Sequence, residues 1–336
     1  LLLAWVAAAR AEDGTLRLVP GSAIKAPGNQ IKGAIQSETP SEVRIGGQTV
    51  PFDQIESIEY DGQPANLLLA RNRESAGNLA EALELYTKAV GEAGSGKPLI
   101  AREAQFQRAR VLALLGLGDP QRADEAIKLL EQFARAHPSG RQLGPALEIL
   151  ARLYVARENY DQADRVLAEL SKIAWAAPQA EVTRARVLGL RGRQDEAIAR
   201  LDAILAAAPE GSARHRTALL AKAEALGGLK RFDEAQALAN TVIKAAGPED
   251  VETQAAAHNA LGDLLRQAGQ PKDALLAYLH TDILYFKDRE QHPRALARIV
   301  ELCRQLKLDD QARETAARLR QEYPASPHAA ALGPNP

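Results

Sequence analysis

The chain has 336 residues, 46% hydrophobic but only 4% aromatic, and its 42 basic and 43 acidic residues leave a formal charge of -1. That balance excludes the global positive field on which nucleic-acid binding draws, and the single cysteine, Cys303, excludes an internal disulfide and a thiolate metal cluster. The alanine-dominated apolar fraction suits many thin helix–helix layers, because interaxial distance follows the size of the side chains at the contact.

Residues 1–11 read as the remnant of a secretion signal peptide, an apolar core ending in Ala9-Arg10-Ala11 with cleavage expected after Ala11. A frayed apolar helix is the alternative. The apolar run before Arg10 falls well short of the about 20 residues that span a bilayer, and no other segment supplies such a run.

Residues 12–62 alternate apolar and polar positions between Gly, Pro and Asn breaks, which predicts four or five short strands of a small antiparallel β-module. Gly46-Gly47 is its hairpin turn, since glycine relieves the left-handed dihedrals of a tight turn. Such a short segment buries little core alone, so it is expected to rest on the first helices or on a partner. Pro64 marks the switch to helix.

From residue 66 the period is helical and paired. A small residue returns at Ala82, Ala126, Ala163, Ala197, Ala235, Ala274 and Ala312, in steps of 44, 37, 34, 38, 39 and 38 residues. Each opens the second helix of a pair, which makes residues 66–325 a repeat array. Pro138, Pro209 and Pro324 each stand where a second helix should end. The long step into Ala126 is assigned to a turn lengthened by Gly116-Leu117-Gly118-Asp119-Pro120, and helical continuation through Lys287 is expected before the last pair. Tyr285 and Phe286 then either cover the junction into that pair or form a docking patch. Residues 326–336, rich in Ala and Pro, read as a flexible tail.

At these residues the chain resembles the tetratricopeptide repeat family. Small residues in the middle of each first helix (Ala70, Ala109, Ala151, Ala185, Ala223 and Gly262, with Val300 in the last unit) match that family's pattern, as do the following Gly or aromatic, the landmark Ala and the closing Pro. The early large residue of the unit is Asn66, Leu147 or His258 here and never Trp. The resemblance implies a mainly α, right-handed α–α superhelical solenoid of about seven helical pairs behind the β-module. The module ahead of such repeats is similar to one in exported bacterial proteins of planctomycete type, which implies a periplasmic or cell-envelope location.

No enzyme chemistry is legible. The glycines and lysine of Gly91–Pro98 lack the hydroxyl residue and the preceding strand of a phosphate-binding loop, so they read as a linker. The histidines show no ligand spacing, Cys303 reads as a buried small hydrophobe, and no cofactor is expected. Carboxylates before the seams, as in Asp195-Glu196 and Asp233-Glu234, read as helix N-terminal capping and dipole compensation.

The family's concave face grips peptides or a partner's helix, and the residue after each central small one should point into it. In order these are Arg71, Arg110, Arg152, Arg186, Glu224, Asp263 and Glu301, with Asn259, Arg266 and Arg304 as further candidates. Four basic positions followed by three acidic ones make either a bipolar groove that orients its partner or a solvated face without order. The expected function is a non-catalytic scaffold binding a protein or peptide. A structural or envelope-associated role, or that of a regulatory subunit, is the alternative, and oligomeric state stays open.

Overall fold

The computed structural model describes residues 12–94, 96–324 and 326–332; the expected signal segment 1–11 lies outside the described residues. Five strands, β1 (Glu12–Leu18), β2 (Gln30–Glu38), β3 (Glu42–Ile45), β4 (Gln48–Pro51) and β5 (Ile55–Tyr60), form one antiparallel sheet in the order β4-β3-β2-β1-β5. Gly46 and Gly47 close the β3–β4 hairpin at φ 56° and 80°, the left-handed pair that a two-residue turn requires.

Fourteen helices follow in seven successive pairs: α1 (Ala65–Ser75) and α2 (Leu79–Glu92), α3 (Pro98–Gly116) and α4 (Pro120–Ala136), α5 (Leu143–Ala156) and α6 (Tyr160–Leu170), α7 (Ala177–Leu190) and α8 (Gln194–Ala207), α9 (Ala213–Gly228) and α10 (Phe232–Ala245), α11 (Val251–Gln267) and α12 (Pro271–Leu284), α13 (Gln291–Gln305) and α14 (Asp309–Glu322). All seven landmark alanines are buried, each on the second helix of its pair. The expected boundaries at Pro138, Pro209 and Pro324 hold, each proline standing two residues past a helix end.

Every turn within a pair has three residues. In six of the seven the middle residue is left-handed: Gly77, Glu158, Gly192, Lys230, Gly269 and Lys307, at φ between 56° and 82°. The N–H of the next residue returns to a carbonyl inside the first helix, as Arg231 N to Leu226 O at 3.0 Å, which closes the helix end in a Schellman arrangement. The long step into Ala126 has a different origin from the one expected. Its turn is as short as the others, and the extra residues are helical, lengthening the end of α3 and the start of α4.

Three further expectations are corrected. Helix α12 stops at Leu284, where Tyr285 turns back against His258 with ring centroids 5.7 Å apart, so the helix does not reach Lys287. The carboxylates at the seams stand in the first turn, where they face the helix dipole as expected, but they do not cap: Arg193 and Arg231 hold the N-cap positions, and Glu196 and Glu234 pair with them across one turn. Within the expected tail a short helix, α15 (Pro327–Ala331), is seated through Ala329 on Leu296, Ala297 and Leu319. Burial of those side chains at the end of the array holds the segment.

The described residues divide into two compact units, one comprising residues up to Gly116 with Gln121–Leu153 and Lys172–Ala176, the other Leu117–Pro120, Tyr154–Ser171 and everything from Ala177 onward. In the first unit the sheet does not stand alone. Leu16, Leu18, Val43, Ile45, Ile58 and Tyr60 share one apolar cluster with Leu67, Ala82, Tyr86, Ile100 and Val111 of α1–α3. Glu12 accepts the N–H groups of Leu99 (2.6 Å) and Ile100 (3.3 Å), so a strand residue caps the N-terminus of α3. Trp175 stacks on Phe52 at 4.5 Å and donates to Pro40 O at 2.8 Å.

A buried ionic network completes the attachment. Glu38 accepts from Tyr60 Oη at 2.7 Å and from Arg102, and Glu103 accepts from Arg141 (2.6 Å), Gln142 (2.9 Å) and Arg71 (3.2 Å). Burial pushes the Glu103 carboxyl up, but Arg141, Arg71 and the hydrogen bonds from Gln107 and Gln142 overcome it and hold the group at about 2. Against an apolar core such a network gains little, yet loss of one partner strands a buried charge.

Candidate functional site

The expected groove residues lie on successive first helices. In the second unit α7, α9, α11 and α13 pack in sequence, α7 on α9, α9 on α11 and α11 on α13. Their buried centres are Ala185, Ala223, Gly262 and Val300, which leaves the adjacent positions Arg186, Glu224, Asp263 and Glu301 on one ridge.

The ridge charges of the second unit are paired with neighbours. The sign change falls between Arg186 and Glu224, and these two side chains meet as a fork at 2.9 and 3.4 Å across α7 and α9. Asp263 is engaged from three sides: it accepts from Tyr278 Oη at 2.7 Å, pairs with Arg294, and lies 3.7 Å from Arg298 and 4.0 Å from Arg266. Glu301 pairs with Arg298 at 2.7 Å on its own helix. Each ridge charge of the second unit is therefore met by an opposite charge beside it. The physical reason is the offset between neighbouring first helices, which brings a ridge carboxylate within reach of an arginine of an adjacent repeat.

In the first unit Arg110 grips Glu74 of α1 at 2.6 and 2.7 Å, and Arg71 reaches Glu103 and the Ile58 carbonyl rather than solvent. Arg152 is exposed and lies near Glu148, whose carboxyl is raised by desolvation and partly lowered again by this arginine. Two candidates leave the ridge. Asn259 is fully buried: its amide nitrogen donates to the Gln291 carbonyl at 2.9 Å and its oxygen accepts from Thr281 at 3.0 Å. It fixes the start of α13 on the α11–α12 pair. Arg304 opens instead onto the α14 side, where it lines a shallow cleft of about 450 Å³ with Asp309, Arg313 and Arg320.

Sequence reasoning missed Glu74, Arg294 and Arg298, and with them a recurring weld. Tyr86 and Tyr278 each stand four residues after a landmark alanine and are fully buried. Each donates to a first-helix carboxylate, Glu74 or Asp263, which also takes an arginine from the next first helix. Burial, with the adjacent carboxylate, holds both phenols well above their usual range, so they stay neutral donors. Tyrosine at the fourth position after the alanine was the available signal.

Cys303 is buried in the α11–α14 core, and burial raises its thiol. Among the described residues no group of three or more His, Cys, Asp or Glu is placed to hold a metal ion, and no helix is long and apolar enough to cross a membrane.

No family model matches the chain, and no curated protein matches it. Solved structures do. A tetratricopeptide repeat protein from Parabacteroides merdae is 16% identical over 76% of this chain and 91% of that one, with a TM-score of 0.50. A Rap protein complexed with competence and sporulation factor is 12% identical, covering 77% and 76%, at 0.49. A thermophilic TPR protein of Thermus thermophilus is 20% identical, covering 70% and 97%, at 0.38. The fold is that of a tetratricopeptide-repeat solenoid, mainly α and preceded by a small antiparallel sheet.

Proposed function

We propose that the chain is a non-catalytic protein-interaction scaffold whose second unit binds a protein or peptide segment along the ridge of its first helices. One observation carries this reading: α7, α9, α11 and α13 lie side by side and set a charged residue at the same place on each. Arg186, Glu224, Arg298 and Glu301 keep between 30% and 49% of their side-chain surface. Their pairs are wet enough to be exchanged at little cost, since exposed ion pairs contribute ~0–1 kcal/mol. A partner's carboxylate can take the Arg186 guanidinium bidentately, and a partner's lysine can take Glu224 or Glu301. The nearly buried Asp263 holds the frame and does not exchange. An exported location belongs to the same proposal and rests on the apolar run and the Ala9-Arg10-Ala11 tripeptide.

Photo-crosslinking residues placed at Glu224 and Glu301, on the ridge, and at Gln236, on α10, test the reading in the native compartment. One stoichiometric protein captured from the ridge positions alone is expected, and Arg186→Glu with Glu301→Lys, both in exposed pairs, should weaken its binding tenfold or more while leaving helicity unchanged. Capture only from Gln236, or of envelope polymer without protein, refutes it.

A further inference from the structure

The packing of the second unit repeats from pair to pair, and one seat beside α14 is only partly filled. α13 packs on both α11 and α12, and α15 packs on both α13 and α14. The 38-residue step from Ala274 to Ala312 also carries Gln291, the first residue of α13, to Ala329 in α15. By position α15 is the opening of another first helix, five residues long where α13 has fifteen. Ala329 fills the seat near Leu319, toward the C-terminal end of α14.

Toward the other end of α14 the seat is open within this unit. There α13 and α14 leave the cleft of about 450 Å³, floored by Ala312, Ala316 and Ala317. In the pair before, the matching positions Ala274, Tyr278 and Leu279 pack in one apolar cluster with Ala295, Ile299 and Cys303 of α13. The face is thus shaped to receive a helix, and from Asp309 to Arg320 it runs for about 17 Å, three helical turns. Charge selects the occupant. Arg304, Arg313 and Arg320 line the cleft against one carboxylate, Asp309. At the matching positions of the pair before stand Arg266, Leu275 and Asp282, so the excess of positive charge belongs to this seat and not to the repeat. Arg304 is exposed and enters no ion pair among the described residues. Arg313 meets Asp310 in a pair with side chains 68% and 88% exposed, which an incoming carboxylate can exchange at little cost.

We propose that the open part of this seat takes an acidic amphipathic helix of a partner protein, laid on α13 and α14 as α13 is laid on α11 and α12. The helix rests its apolar side chains on the alanine floor. Its flanking carboxylates take Arg304 and Arg313, whose guanidinium groups can each bind bidentately. Because Arg304 has left the ridge, this contact is independent of the one proposed there. Three turns make a small contact against a standard interface, so the Kd lies on the order of tens of micromolar.

Fluorescence anisotropy with the full chain tests this. The probe is a labelled, side-chain-stapled helical peptide of about four turns, with leucines along one face and glutamates flanking them. Its twin carries lysine for every glutamate. The acidic peptide should bind with a Kd on the order of tens of micromolar, and the lysine twin at least about tenfold more weakly. Arg304→Glu with Arg313→Glu should weaken the acidic peptide about tenfold or more with an unchanged circular dichroism spectrum, since both positions are exposed. Arg304→Lys with Arg313→Lys should keep binding to within about threefold, because the positive charge remains. An acidic peptide that does not bind, or that binds no better than its lysine twin, overturns the proposal. So does binding that survives the double charge reversal, or that is lost instead in Arg186→Glu with Glu301→Lys, which would place the peptide on the ridge. Self-association of the chain that the double reversal abolishes also overturns it, since the seat would then hold a second copy.

Discussion

A methyl group built on Gly262 would lie 2.7–2.8 Å from three carbons of the Tyr278 ring. Carbon atoms pack at about 3.5–4.0 Å, so the ring would have to withdraw by roughly 0.7 Å or more. It has nowhere to go, because Tyr278 is fully buried and its hydroxyl is tethered to Asp263 at 2.7 Å. Overpacking of this kind costs about 1–3 kcal/mol, and stretching a hydrogen bond to a charged acceptor adds up to ~1.5 kcal/mol. Alanine returns about 1 kcal/mol over glycine inside a helix. Net of that return and taken at mid-range, Gly262→Ala should therefore destabilise the protein by about 2 kcal/mol. Gly189 on α7 has nothing within 4 Å of the same position, so Gly189→Ala should stabilise by about 0.5–1 kcal/mol. Urea unfolding of both variants measures the difference, read as a shift in midpoint at constant m. In a Tyr278→Leu background the Gly262→Ala penalty should vanish. A Gly262→Ala variant as stable as the wild type refutes the packing argument.

Other outcomes follow from the same structure. Glu158, Lys230 and Lys307 hold left-handed turn positions at φ 56°, 59° and 61°, so replacing each with Gly should stabilise by about 0.5–1 kcal/mol; an unchanged or lower melting temperature refutes it. Glu103→Gln should cost about 3 kcal/mol, because Arg141 and Arg71 lose the buried carboxylate that balances them. That carboxyl sits at about 2 in the folded chain against its usual 4.5, so its contribution is present above pH 4.5 and lost as pH falls toward 2. Acid unfolding followed by circular dichroism should show that loss in the wild type and not in Glu103→Gln. His258 is depressed to about 4 by burial and by neighbouring His280, so it folds neutral, and the stability it contributes above pH 6.5 declines as pH falls toward 4. A proton NMR titration of its ring with a midpoint at 6.5 or higher would contradict this.

The groove shows where a one-dimensional reading stops. Arg186 and Glu224 were legible as ridge residues because each follows a small central residue, and that spacing is a property of one helix. Their meeting depends on how far one first helix slides past the next. Asn259 carried the same helical phase information as its neighbours, yet it is buried because α13 starts directly against it.

The sequence by itself determined the paired helices, the alanine seams, the Gly46-Gly47 hairpin and the helix ends before Pro138, Pro209 and Pro324. Periodicity and turn chemistry act over a few residues, so they are written in local order. Only the tertiary structure decided that Glu12 would cap α3, that Glu38 and Arg141 would share one buried network, that the ridge charges would pair across repeats, and that α15 would dock on α13. Those contacts join residues tens of positions apart or depend on the packing of whole helices, and their partners are fixed by the offset and rotation between packed elements rather than by any spacing along the chain.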